Sequence, residues 1–166
     1  MSLTMFHQYK FKEVKTAQIN IYGDMDNTGN MTAENALLLN VTGNLTHQST
    51  LRTDDVNLKG YAYQNTHLDR KGLLHVKGEN GTLQIATGNF TIAGADIIND
   101  GSGTTYLSAQ NALNLTALST AHSENLGSGD HYRHESHQGI AISHVQGKGD
   151  VMLMEVMDYL MQCYLG

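Results

Sequence analysis

The stretch Gly81-Thr82-Leu83-Gln84-Ile85-Ala86-Thr87-Gly88-Asn89-Phe90-Thr91-Ile92-Ala93-Gly94-Ala95-Asp96-Ile97 decides the fold class. It holds two apolar pairs at i and i+2, Leu83/Ile85 and Phe90/Ile92, and each follows a turn signal, Gly81-Thr82 or Gly88-Asn89. Such alternation puts the pair on one face of a strand and the intervening polar residue on the other. Glycine and asparagine tolerate the backbone angles of turns.

The same arrangement extends in both directions, from about Ala17 to Gln146. The pairs are Ile19/Ile21, Leu37/Leu39, Val56/Leu58, Leu74/Val76, Leu113/Leu115 and Ile140/Ile142. Leu37, Val56 and Leu74 are spaced at about twenty residues, within the solenoid range. Leucine-rich repeats share this period but need a helical segment in each repeat. Here the intervening segments, such as Tyr61-Ala62-Tyr63 and Thr105-Tyr106-Leu107, are β-like as well. The expected fold is all-β, a parallel β-helix. One coil cannot bury its apolar pair alone, whereas stacked coils pair strands ~4.8 Å apart and align the pairs into columns.

Composition agrees with a thin, extended core. The 166 residues are 40% hydrophobic but only 7% aromatic, with neither tryptophan nor proline. Charged residues make up 16%, fewer than a disordered chain would carry. The net charge of −6 and the lack of a Lys/Arg cluster argue against nucleic-acid binding. Cys163 is the single cysteine, so an internal disulfide framework is excluded, and no histidine adjoins it to make it a nucleophile. No stretch approaches the ~20 apolar residues of a membrane span. The first residues lack the apolar core of a signal peptide.

Two segments hold pattern-level resemblance: Gly88 to Ile97, and Leu107-Ser108-Ala109-Gln110-Asn111-Ala112-Leu113-Asn114-Leu115-Thr116-Ala117 with the polar run Leu118 to Gln138 after it. They resemble the haemagglutinin repeats of filamentous haemagglutinin-like exoproteins. That family includes the large partners of two-partner secretion and the stalks of contact-dependent growth-inhibition proteins. The resemblance implies a right-handed parallel β-helix, secreted or displayed on the bacterial cell surface through an outer-membrane secretion partner. It implies neighbouring repeats of a longer exoprotein on either side, and a host or target cell as the surface contacted. The role implied is a structural or adhesive rod segment of an adhesin, haemolysin or toxin stalk. No enzymatic activity and no cofactor are expected. The rival readings are a carbohydrate-active β-helix enzyme and a metal-binding surface module.

The expected organisation is an N-terminal extension or cap over 1–16, repeats over 17–150 with a His-rich loop near 118–138, and a non-repeat tail over 151–166. The tail's Leu153, Val156/Met157, Leu160/Met161 and Tyr164 follow helical spacing, which predicts a short amphipathic helix capping the last coil. Back-translated from Met154 with each codon's last base joined to the next two, the tail reads Gly, Gly or Ser, a variable residue, Gly, Leu. That is closer to the repeat, and the expectation it raises is a frameshift in a longer gene; genomic sequence downstream tests it.

Several side chains invite a chemical reading. His122, Asp130, His131, His134, Glu135, His137 and His144 crowd one region. His131, His134 and His137 are the candidate metal ligands. Their alternating parity prevents one strand from aiming all three at a point, and H-x-x-H-E matches no zinc motif, so a solvated loop is the preferred reading. Asp54-Asp55 and Asp24/Asp26 are candidate carboxylate pairs for glycoside cleavage, but aspartate is favoured in turns and turn residues are the preferred reading. The Asn-x-Thr triplets, Asn89-Phe90-Thr91 among them, follow from polar–apolar–polar alternation.

Overall fold

In the computed structural model, which describes residues 2–5, 14–128 and 130–156, every regular element is a strand. The first four are β1 (Ser2–Met5), β2 (Thr16–Ile21), β3 (Asp24–Asn27) and β4 (Asn30–Ala33). The long β5 (Ala36–Gln48) is followed by β6 (Thr50–Leu58), β7 (Tyr61–Arg70) and β8 (Leu73–Val76). Then come β9 (Thr82–Ala93), β10 (Asp96–Asn99) and β11 (Thr105–Thr116). The last four are β12 (Leu118–Ser128), β13 (His131–Ala141), β14 (His144–Gly147) and β15 (Val151–Glu155).

Three sheets result. A broad parallel sheet has the order β1-β3-β5-β9-β11-β15, with β2 also on β5; a narrow parallel sheet has the order β14-β10-β8-β4. The third, β13-β12-β7-β6, is antiparallel. The chain shuttles between the parallel sheets in layers: β3 then β4, β5 then β8, β9 then β10, β11 then β14, and finally β15. Because both sheets advance in the same order, each layer lies in register on the one before.

The core lies between the two parallel sheets. On the broad sheet, Ile19, Leu39, Ile85, Leu107 and Leu153 align in one column. Met25, Leu45, Phe90 and Leu113 align in another. The narrow sheet contributes Met31, Leu74, Ile97 and Val145. Residues in the middle layers, among them Leu83, Ile85, Phe90, Ile92, Ile97 and Leu107, are fully buried. Each such side chain contributes roughly 1.5–3 kcal/mol relative to exposure. Leu153, on the last layer, stays 46% exposed because no described strand covers it.

The pairs Leu37/Leu39, Leu74/Val76, Leu83/Ile85 and Phe90/Ile92 occupy the expected inward positions. Val56/Leu58 and Ile140/Ile142 do not. Val56 and Leu58 lie on β6, and Ile140 on β13, in the antiparallel sheet; all four side chains are at least 39% exposed. Leu37 therefore stacks on Leu83 and not on Val56. The layer step is 20 residues between Asn27 and His47 but 45 between Asn44 and Asn89, because the β6–β7 hairpin is inserted there.

Both hairpins leave at the same point of a layer. Gln48, Ala93 and Thr116 are register partners that end β5, β9 and β11. After Gln48 the chain makes β6–β7; after Thr116 it makes β12–β13. The intervening layer instead turns at once through Gly94, whose φ of 57° is in the left-handed region that glycine adopts without strain. The two hairpins then join over this short turn through β7 and β12.

Asn99 organises the other turn. It is buried at 1% exposure, donates from Nδ2 to the carbonyls of Gly81 (3.0 Å) and Gly103 (3.2 Å), and accepts from the Gly101 N–H (3.0 Å). Gly101 packs so closely that an added Cβ would sit 2.6 Å from Gly81 Cα. Gly101→Ala is expected to destabilise the fold by about 1–3 kcal/mol through overpacking, with the urea midpoint shifted and the denaturant slope unchanged.

The helix expected from Val151 does not form over residues 151–156. Val151–Glu155 is a strand parallel to β11, and the Val156 N–H continues the ladder to the Ala109 carbonyl at 2.9 Å. The unpaired edge of β11 offers backbone partners to any extended segment, and Val151/Leu153 supply the inward alternation that helical spacing obscured. The rest of the predicted helix, with Cys163, lies outside the described residues. So does most of the 1–16 segment, although Ser2–Met5 pairs with β3.

Candidate functional site

The antiparallel sheet carries His67, His122, His131, His134 and His137. Its register places Asp54, Asn65, His122 and His137 directly opposite one another across four strands, on one face. Tyr63 meets His122 edge-on with ring centroids 5.3 Å apart, and His122 lies beside His137 at 6.2 Å in near-parallel planes. Glu135 receives His137 Nε2 at 2.9 Å and Arg133 at 2.5 Å. These partners, the histidine first, hold its carboxyl below the usual range.

The candidate metal ligands are not brought together. His131 and His137 share a face of β13 but are ~20 Å apart along the strand. His134 points to the other face, where Asn125 Oδ1 meets its Nδ1 at 2.5 Å and accepts from Tyr132 Oη at 2.7 Å. Among the described residues, no group of three or more His, Cys, Asp or Glu side chains is arranged to hold a metal ion. His144 lies on the narrow sheet, with Nδ1 3.1 Å from Asp96 Oδ1. The expected His-rich loop is thus a regular hairpin whose surface histidines are spread over two faces.

One member of each carboxylate pair is engaged locally. Asp54 and Asp55 are neighbours on β6 and point to opposite faces; Asp54 takes Arg52 Nε at 2.9 Å. Asp24 accepts the Asn44 N–H at 2.7 Å, and Asn89 donates to Asn44 Oδ1 at 2.7 Å. That ladder crosses the bend where the register of β5 and β9 shifts. It also gives Asn89 of the Asn89-Phe90-Thr91 triplet a structural role.

Two features escaped the sequence reading. His47 is fully buried, with Nδ1 3.1 Å from Asn27 Nδ2 and Nε2 3.2 Å from the Asp96 carbonyl. The fit is Nε2–H donating to Asp96 and Nδ1 accepting from Asn27. Burial outweighs the opposing pull of the Asp96 and Asn27 backbone carbonyls and lowers its pKa from 6.5 to about 4. The signal lay in parity: His47 is two residues beyond inward Leu45. The second feature is a groove of about 320 Å³ on the outer face of the broad sheet, lined by Gln18, Asn20, Leu38, Asn40, Gln84 and Tyr106 among others.

Among the described residues, no helix is long and apolar enough to cross a membrane. A scan against protein-family models, a search of curated proteins and a search of solved structures each gave no match.

Proposed function

We propose that the chain is a non-catalytic rod segment of a large secreted or cell-surface bacterial exoprotein, coiled as a right-handed parallel β-helix. In this reading the layers of the parallel sheets are successive coils, and the antiparallel sheet is an outward display built from two coils. The observation carrying the proposal is the register. Five layers of the broad sheet align inward aliphatic side chains in one column, and both hairpins depart after register-equivalent residues, Gln48 and Thr116.

Such a body transmits length and spacing: its cross-section repeats, and each added layer extends the same core. The resemblance of Gly88–Ile97 and Leu107–Gln138 to haemagglutinin repeats supports the same role. Export through an outer-membrane partner, continuation into neighbouring repeats, and contact with a host or target cell belong to this proposal. The β15 edge, with Val151 and Leu153 over 40% exposed, is where a further layer would stack.

Beads coated with the chain test the proposal against the enzymatic alternative. Saturable attachment to mammalian or bacterial cells, with no reducing ends released from a polysaccharide panel, is the expected result. Polysaccharide cleavage without attachment would reverse the assignment.

A further inference from the structure

We infer that the outer groove of the broad sheet is a binding site for an uncharged oligosaccharide. The inference rests on the display role proposed above and names its ligand class. Along β2, β5, β9 and β11, the register aligns Gln18, Leu38, Gln84 and Tyr106 in one outward column. Asn20, Asn40, Ala86 and Ser108 form the adjacent column. The groove lies over these two columns.

Its chemistry is that of sugar recognition. Gln18, Asn20, Asn40 and Gln84 are all exposed, and among the described residues none of their side-chain amides is hydrogen-bonded to the protein. A primary amide both donates and accepts, as a sugar hydroxyl does. Tyr106 stands at one end, with Oη donating to Met154 Sδ at 3.2 Å, so its ring is held against the sheet. Leu38 and the small Ala86 leave an apolar floor for the C–H face of a pyranose. No Asp, Glu, Lys, Arg or His lines the groove. An acidic glycan, a phosphate ligand or a basic peptide would find no countercharge there, whereas a neutral glycan needs none.

The extent of the groove adds a further argument. The amides lie on three adjacent strands, Gln18 and Asn20 on β2, Asn40 on β5 and Gln84 on β9, and at ~4.8 Å per strand the two columns span about 14 Å across four strands. A ligand several rings long can reach the amides on all three strands. The groove lacks the facing carboxylates that glycoside cleavage requires, so binding without turnover is its expected behaviour.

Calorimetry of the full chain with soluble hexasaccharides tests this, using neutral gluco-, manno- and N-acetylglucosamine series beside oligogalacturonate and heparin fragments. At least one neutral series is expected to bind, with the acidic series weaker by about tenfold or more, a difference of about 1.4 kcal/mol. Ala86→Phe fills the groove from a solvent-facing position and should abolish the heat. Tyr106→Ala should weaken binding by about tenfold, with the urea midpoint of each variant reported alongside. No heat with any neutral series at millimolar ligand, binding that survives Ala86→Phe, or preference for an acidic series would each overturn the inference. Amide-exchange protection of β5, β9 and β11 separates this from failure of the stacked body. Protected amides without sugar binding remove only the groove assignment; unprotected amides remove the rod.

Discussion

Phe90→Ala is expected to cost about 3–5 kcal/mol of unfolding free energy, the largest loss from truncating any of the described side chains. Phe90 is fully buried between Leu45 and Leu113 in a middle layer, with the narrow sheet opposite. Truncation removes apolar area and leaves a cavity that neighbouring layers cannot close, since backbone ladders fix their spacing on both sides. Against a usual total of about 5–15 kcal/mol, such a loss would leave the domain marginal. Leu58→Ala, on exposed β6, should change stability by less than about 0.5 kcal/mol. Urea unfolding of the two variants checks the contrast. Equal losses would mean that the antiparallel sheet shares the core.

Acidification should destabilise the fold through His47. Its folded pKa is about 4 against 6.5 for the free side chain, so the folded state favours the neutral ring. The associated stability is fully present above pH 6.5 and falls as pH drops from there through 4, by about 3 kcal/mol in all and about 2 kcal/mol by pH 5. Asp100 acts in a separate window. His75 donates to it at 2.7 Å, and this bond foremost holds its carboxyl below 3.8, so its contribution is lost only as pH falls below the ordinary carboxylate range. Unfolding measured at pH 7.5 and 5 should show the His47 loss. His47→Leu should be less stable at pH 7.5, because the Asn27 amide and Asp96 carbonyl lose their partner, yet should vary little between the two pH values. An unchanged pH dependence in that variant would assign the acid sensitivity elsewhere.

The strand content was legible in the sequence because period-two alternation is a local signal. Leu83/Ile85 and Phe90/Ile92 could be placed inward from their own neighbours. Val56/Leu58 alternate in the same way, but alternation states only that a strand has two faces. What covers a face depends on distant residues, and here β6 and β7 pair into a hairpin that joins β12, far along the chain. The twenty-residue spacing of Leu37 to Val56 was for that reason coincidental, and the step from Leu37 to Leu83 was hidden by the insertion. The tail misled for a related reason. Residues spaced for a helix also contain Val151 and Leu153 two apart, and the free edge of β11 selects the strand.

The candidate site was less legible. Runs of histidine drew the metal reading, but β13 distributes His131, His134 and His137 by strand parity over two faces, as their spacing already implied. The groove was hidden among the residues that alternation turns outward. Asn20, Asn40 and Gln84 are the polar residues between inward pairs, and only the interlayer register lines them up.

Paired cysteines test that register most directly. In a Cys163→Ser background, Leu38→Cys with Gln84→Cys places thiols on outward register partners of adjacent parallel strands. Their Cα atoms would be ~4.8 Å apart, within the range a disulfide spans. Mild oxidation followed by mass spectrometry should find that bond nearly complete, and none for Leu38→Cys with Asn57→Cys, the pairing a simple twenty-residue repeat would make. A bond between 38 and 57 in place of one between 38 and 84 would contradict the layered register and the rod built on it.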